Sequence, residues 1–291
     1  MSLDPALRAL YPWTGKRLAV SGGDMHVLDE GPRGGPVVLA LHGNPTWSFY
    51  WRALVAELGG ACRVVVPDHI GCGLSDKPAD WSYRLEDHIG NVVRLIEALD
   101  LRDITLVVHD WGGAIGFGAA ARLPERFARF VVTNTAAFRS PDIPPSIAAC
   151  RIPGLGALMV RGFNGFVWAA TWRTTCRPLD PLVKRGLILP YDSWEHRVAI
   201  HRFVQDIPMS PSHPSWGTLA AVEDGLLSLV GKPMHLVWGD ADWCFSPKFR
   251  AEWERRFPEA RLSHWADVGH YVMEDAPERV LPIVREIMER R

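Results

Sequence analysis

Net charge is almost absent from this chain: 32 lysines and arginines stand against 33 acidic residues, a formal charge of −1. On that balance no field of one sign exists to hold nucleic acid or an anionic membrane, and a small apolar molecule is the expected partner. Cysteine is scarce as well. The five cysteines (Cys62, Cys72, Cys150, Cys176, Cys244) are odd in number, widely spaced and without a CxxC pair. That pattern argues against a disulfide framework and a zinc site, so they read as reduced packing residues and no metal is expected. Met1 to Leu10 has no basic stretch followed by an apolar one, which argues against a secretory leader and for the cytoplasm. Long apolar runs are missing too. The most hydrophobic stretch, Ile152 to Trp172, is interrupted by Arg161, Asn164 and several Gly and Pro residues, and makes a poor membrane span. No internal repeat or low-complexity run stands out.

What is present is ordinary globular material, with 47% hydrophobic and 22% charged residues over 291 positions, enough for a large core. Thirteen tryptophans are many for this length, and such rings belong in a core, a pocket or an interface. Short apolar runs alternate with helical patterns, the signature of a sheet flanked by helices. Arg17 to Val20 and Met25 to Glu30 read as a hairpin. Six further strands are expected at Val37 to Leu41, Arg63 to Val66, Ile104 to His109, Phe130 to Asn134, Met234 to Trp238 and Ala260 to Trp265. These six read as buried, in a mostly parallel sheet covered on both faces. Helical patterns at Trp47 to Leu58, Leu85 to Leu99, Gly113 to Leu123, Pro247 to Phe257 and Pro277 to Arg290 supply the crossovers. The alternation stops between Arg139 and about Val222, where proline-punctuated helical pieces carry Trp168, Trp172, Trp194 and Trp216. Residues 1–138 and 223–291 thus read as the core, and 139–222 as an inserted helical cap.

Ligands of open α/β sheets sit at the carboxyl ends of the strands, so the loops there are where a site is expected. The strand ITLVVH runs into Asp110-Trp111-Gly112-Gly113 and at once into a helix rich in small residues. This is the pattern of a nucleophile elbow with aspartate where serine usually stands. Taken alone, Asp110 could equally be a helix N-cap. Asp242 and His270, each in the loop after a later strand, complete the chain order nucleophile, acid, histidine. Asp240 competes for the acid's place. In His42-Gly43-Asn44-Pro45-Thr46-Trp47, the backbone, with that of Trp111, can supply amides to an oxyanion, while the Asn44 amide and Trp111 indole can donate to a leaving halide or a developing carboxylate.

With these residues in hand, the chain resembles the haloalkane dehalogenases, α/β-hydrolases with an aspartate nucleophile. The carrying motifs are HGNPTW (42–47), PDHIGCGLSDKP (67–78), VHDWGG (108–113), WGDAD (238–242) and DVGHYVMED (267–275). The resemblance implies an α/β-hydrolase fold with a cap, and a covalent alkyl-ester mechanism without cofactor or metal. It implies Asp110, Asp242 and His270 as the catalytic set, with Asn44 and Trp111 as the halide and oxyanion donors. One branch of that family takes its acid from the place held here by Asn134, whose amide carries no charge, so Asp242 is preferred. Asn134 to Phe138 and the cap stretch Arg202 to Pro211 are also similar to the β-lactone decarboxylases of bacterial olefin biosynthesis. Dehalogenation to alcohol and halide is the leading expectation and β-lactone decarboxylation the alternative. An epoxide hydrolase is disfavoured because the cap offers only Tyr191 as a phenol, and a non-catalytic binding protein because the triad is intact. Trp168, Trp172 and Phe203 are expected to line a substrate tunnel, and assembly with biosynthetic partner enzymes is compatible with a lipid-like product.

Overall fold

The computed structural model describes residues 4–290. Its strands are β1 (Lys16–Val20), β2 (Gly23–Glu30), β3 (Val37–Leu41), β4 (Arg63–Pro67), β5 (Ile104–Asp110), β6 (Phe127–Thr135), β7 (Met234–Gly239) and β8 (Arg261–Trp265). They form one eight-stranded sheet in the order β1-β2-β4-β3-β5-β6-β7-β8. The pairs β1–β2 and β2–β4 are antiparallel, and every pair from β4 to β8 is parallel. Val20 pairs with Gly23, leaving a two-residue turn whose Gly22 takes φ +91°, a conformation a side chain would resist.

Strands β3, β5 and β7 are buried at every position, which explains their unbroken apolar runs: crossover helices cover both faces. Strand β8 departs from the expectation of burial. It has a single neighbour, β7, and its residues are exposed or half-buried, because an edge strand is covered on fewer sides. The helices fall close to their expected places, at Leu85–Ala98, Trp111–Arg122, Pro247–Arg256 and Pro277–Met288, while the first crossover opens as a 3₁₀ turn before Arg52–Leu58. A helix not foreseen, Pro5–Leu10, is started by Asp4, whose carboxylate accepts from the amides of Ala6 and Leu7, with proline at the first turn.

From Ala136 to Pro233, between β6 and β7, the chain forms helices and loops and no strand. This segment is tied to the carboxyl ends of the strands by polar contacts. The Tyr191 hydroxyl donates to the Thr46 carbonyl (3.2 Å), the Trp47 indole to the Gly186 carbonyl (3.1 Å), and the Tyr271 amide to the Thr174 carbonyl (2.8 Å). Buried Asp206, from the 202–211 stretch, accepts from Arg84 and from the Leu85 amide (both 2.8 Å), where the Leu85–Ala98 helix would otherwise leave an orphan donor. The segment's last helix, Trp216–Gly225, packs on Trp111–Arg122: a Cβ added at Gly118 would lie 3.1 Å from Val222. No described helix is long and apolar enough to cross a membrane.

Candidate active site

Asp110 ends β5 with φ +52° and ψ −126°, a conformation that costs a non-glycine residue free energy and persists only when its surroundings enforce it. The neighbours do so. A Cβ at Gly112 would come within 2.3 Å of the Leu41 carbonyl oxygen, one at Gly113 within 1.9 Å of Thr135 Oγ1, and one at Gly43 within 2.0 Å of Asp110 Oδ1. Three glycines therefore allow the strand-to-helix turn to close against β3, β6 and the 42–47 loop. The turn presents the carboxylate at the start of the Trp111–Arg122 helix. There the Asn44 amide donates to Oδ1 (2.6 Å), and the Trp111 amide also donates to the carboxylate. Asp110 does occupy the N-cap position, but its side chain makes no capping bond to the second or third helical amide and is held by the Asn44 and Trp111 amides instead.

His270, in the loop after β8, is buried. Its Nδ1 lies 2.8 Å from Asp242 Oδ2 and its Nε2 3.8 Å from Asp110 Oδ2, beyond hydrogen-bond range. Asp242 is buried in turn and accepts from Asn134 Nδ2 (2.8 Å) and the Cys244 amide (2.6 Å). These bonds compensate a charge that burial would otherwise penalise. The competing acid is engaged elsewhere: Asp240 accepts from Arg250 (2.9 Å) and pairs with His264 (2.6 Å). Burial pushes the Asp110 carboxyl up from its ordinary value, against the opposing pull of His270 and the two amides. Burial alone would push His270 down, but the Asp242 and Asp110 carboxylates outweigh it and raise the imidazole above its ordinary 6.5.

A cavity of about 350 Å³ lies over these groups, lined by Asp110, His270, Asn44 and Trp111 from the core and by apolar residues of the 136–233 segment. Trp111 lines it, and its indole Nε1 makes no hydrogen bond to protein among the described residues. The Asn44 side chain donates instead to the Ile200 carbonyl (3.2 Å), which leaves its buried Oδ1 without a partner.

A family model described as alpha/beta hydrolase fold matches residues 36–167. A cis-3-alkyl-4-alkyloxetan-2-one decarboxylase of Xanthomonas campestris pv. campestris is 42% identical, over 96% of this chain and 97% of that protein. The chain belongs to the α/β-hydrolase family. A second decarboxylase of the same name, from Shewanella oneidensis, is 40% identical over 97% of this chain and 90% of its own length. A haloalkane dehalogenase of Mycolicibacterium paratuberculosis is 33% identical, over 91% of this chain and 89% of its own. Among solved structures, the haloalkane dehalogenase DatA of Agrobacterium tumefaciens C58 superposes with a TM-score of 0.84 at 27% identity, over 95% of this chain and 96% of that one. The chain is thus an enzyme of this family. Its relatedness favours the decarboxylase alternative over the dehalogenase expectation.

Within this hydrolase fold the expected substrate tunnel needs correcting. Trp168 is 48% exposed and Trp172 66% exposed, and neither lines the cavity over Asp110. The helix Gly165–Arg173 turns Phe166, Ala169, Ala170 and Arg173 toward the cavity, so at 3.6 residues per turn the two tryptophans fall on the opposite side. Phe203 is buried but lies behind the cavity wall, stacked on His88 (4.5 Å between ring centres) and tilted against Trp111 (5.2 Å). Two cysteines also depart from simple packing: all five are free, but Cys176 is exposed and Cys244 lines the cavity beside Asp242.

Three supporting residues were not assigned by reading the sequence. Asn134, at φ +35°, accepts from the Gly239 amide (2.8 Å) and donates to its carbonyl (3.0 Å) as well as to Asp242, so it holds the Asp242 carboxylate in place. His109 Nε2 lies 2.9 Å from the His270 carbonyl. Buried Asp275 accepts from the Gly269 and Cys176 amides (both 2.8 Å), pinning the His270 loop to the helical segment. His109 and Asp275 sit inside quoted motifs, but spacing carries no sign of what their side chains hold.

Proposed function

We propose that this enzyme decarboxylates β-lactones bearing alkyl chains, releasing an alkene and carbon dioxide, with residues 139–222 roofing the substrate. Near full-length identity of 42% to an oxetanone decarboxylase carries the substrate class. The arrangement of Asp110 supports the chemistry: one oxygen is held by the Asn44 amide while Oδ2 faces His270.

Asp110 Oδ2 attacks the ring carbon that bears the lactone oxygen. The carbon–oxygen bond breaks, and its electron pair leaves as a carboxylate still attached to the neighbouring carbon. The strained ring opens without proton transfer, giving an Asp110 alkyl ester. The carbon–carboxylate bond then breaks as carbon dioxide; its electrons form the double bond and expel Asp110 as carboxylate. The Trp111 indole, free of protein acceptors, is a donor for the carboxylate that forms. No water is consumed, so His270 with Asp242 serves to place a cation beside the carboxylates and to keep the site in register.

The second reading, hydrolysis of haloalkanes, is favoured by the same unpartnered indole, which suits a halide. There the ester would be cleaved by water activated at His270, with the Asn44 and Trp111 amides holding the oxyanion. Oxygen-18 water separates the two. Turnover of a dialkyl β-lactone should leave the Asp110 peptide unlabelled, while hydrolytic turnover deposits solvent oxygen in that carboxylate. Label entering Asp110 during lactone turnover would exclude the water-free route.

A further inference from the structure

The net charge of −1 conceals a local asymmetry. Between residues 143 and 190 stand Arg151, Arg161, Arg177, Lys184 and Arg185, with Arg173 turned inward to the substrate cavity, against the single acid Asp180. The same stretch holds the most exposed aromatic rings of the described protein: Phe163 is 73% exposed, Trp172 66% and Trp168 48%, with Leu158 half out of the surface beside them. Several cations stay close to aromatic rings here: Arg161 lies over Trp194 (4.3 Å), Lys184 over Trp168 (5.2 Å).

A second cavity, about 570 Å³ and separate from the one over Asp110, opens on this face between Phe163, Trp168, Ile188, Lys184 and Arg185. Its floor includes Arg197, only 7% exposed, which donates to the backbone carbonyls of Tyr191 (3.0 Å) and Gly162 (3.1 Å) and also to that of Arg161. Among the described residues no carboxylate lies within ion-pair distance of Arg197. Arg185 pairs with Asp4 (2.7 Å), and the cavity's one acid, Asp192, is engaged by His196 (2.6 Å). Apolar rings standing out of a basic surface, over an un-neutralised buried guanidinium, match a layer that is anionic outside and apolar beneath.

From this geometry we infer that the outer face of the 143–190 segment docks reversibly on an anionic lipid bilayer, with a phospholipid phosphate entering the cavity floored by Arg197. The helix Gly165–Arg173 gives the docking a purpose: its outer side carries Trp168 and Trp172, and its inner side lines the substrate cavity. One helix diameter, about 10 Å, separates bilayer from substrate. The purpose rests on the lactone reading, because a substrate with two alkyl chains partitions into lipid. The docking itself rests on the surface alone.

The test is co-sedimentation of the full chain with vesicles of phosphatidylcholine alone or mixed with phosphatidylglycerol. Binding should be strong only with phosphatidylglycerol and fall as salt is raised, as screening requires. Phe163→Ser with Trp172→Ser should weaken it about tenfold by removing inserted apolar surface. Lys184→Glu, a change that removes no apolar ring, should abolish the preference for phosphatidylglycerol. Turnover of a short, water-soluble substrate should be unchanged in all variants, so loss of docking is distinguishable from a wrong catalytic reading. Equal or absent sedimentation with the two vesicle types overturns the inference. So does sedimentation velocity showing a dimer without vesicles that the Phe163→Ser, Trp172→Ser change dissolves, since the face would then belong to a second copy.

Discussion

Asp110 and His270 face each other at 3.8 Å with both titrations displaced, and the displacement has kinetic consequences. The Asp110 carboxyl is raised above its ordinary 3.8, so any step that needs its carboxylate is lost as pH falls through that raised value. The imidazole is raised above 6.5, so any step needing neutral His270 fails earlier on the same descent. The acid limb of haloalkane hydrolysis should therefore lie above pH 6.5, and that of lactone ring opening, which uses His270 as no base, should lie lower. Rate profiles for the two substrates on the same enzyme check this, and coincident limbs would mean that lactone turnover shares the base. Chain order and loop position singled out Asp110, Asp242 and His270, and the structure brings these three side chains together. The sequence was silent where a side chain acts through another: nothing in the spacing of Asn134 indicates that its amide holds Asp242.

The elbow and the Gly165–Arg173 helix illustrate the next scale up. Gly43, Gly112 and Gly113 looked like generic turn formers, yet each allows a close approach that a methyl group would block. Gly43→Ala should push the Asp110 carboxylate off the Asn44 amide and lower turnover by about 10², the usual loss for one donor aimed at developing charge. Circular dichroism and steady-state rates on the same sample separate that effect from unfolding, and wild-type rates would contradict it. In the helix, tryptophan abundance suggested a lined tunnel, but a count of residues carries no direction. The period of the helix does, and it sends the small residues inward. Ala169→Phe, which fills cavity space, should lower kcat/KM for long-chain substrates by about tenfold or more, while Trp172→Ala leaves a soluble substrate within about twofold. A chain-length series on both variants decides it, and the reverse ranking would restore the tryptophan tunnel.

For the whole molecule, eight strands and their flanking helices were legible because periodicity reports burial, and burial is what the sheet imposes on sequence. Strand β8 was misjudged as buried although Arg261, Ser263 and His264 interrupt it, and these polar residues belong to an edge strand covered on fewer sides. Net charge was likewise a poor guide, since it averages the basic 143–190 face against acids elsewhere. Buried histidines give a global consequence. His42, His69, His88 and His109 are completely buried, and burial holds all four below the ordinary value, His88 down to about 3. The folded state keeps them neutral while the unfolded chain protonates them below about 6.5, so unfolding takes up protons and stability falls with pH. At one and a half units below the ordinary value, each group whose folded-state pKa lies lower still costs about 2 kcal/mol, a large share of a typical folding free energy. Urea unfolding between neutral and mildly acidic pH should show this loss, and a flat profile would mean that the cluster protonates without unfolding.

Opening of the lactone ring by Asp110, with carbon dioxide leaving and no water taking part, is tested most directly by product analysis after incubation with a cis-dialkyl β-lactone, with Asp110→Asn as the control. Alkene and carbon dioxide in equal amounts, absent with the variant, are the predicted result; accumulation of the β-hydroxy acid would contradict it, because water would then have opened the ring or cleaved the Asp110 ester.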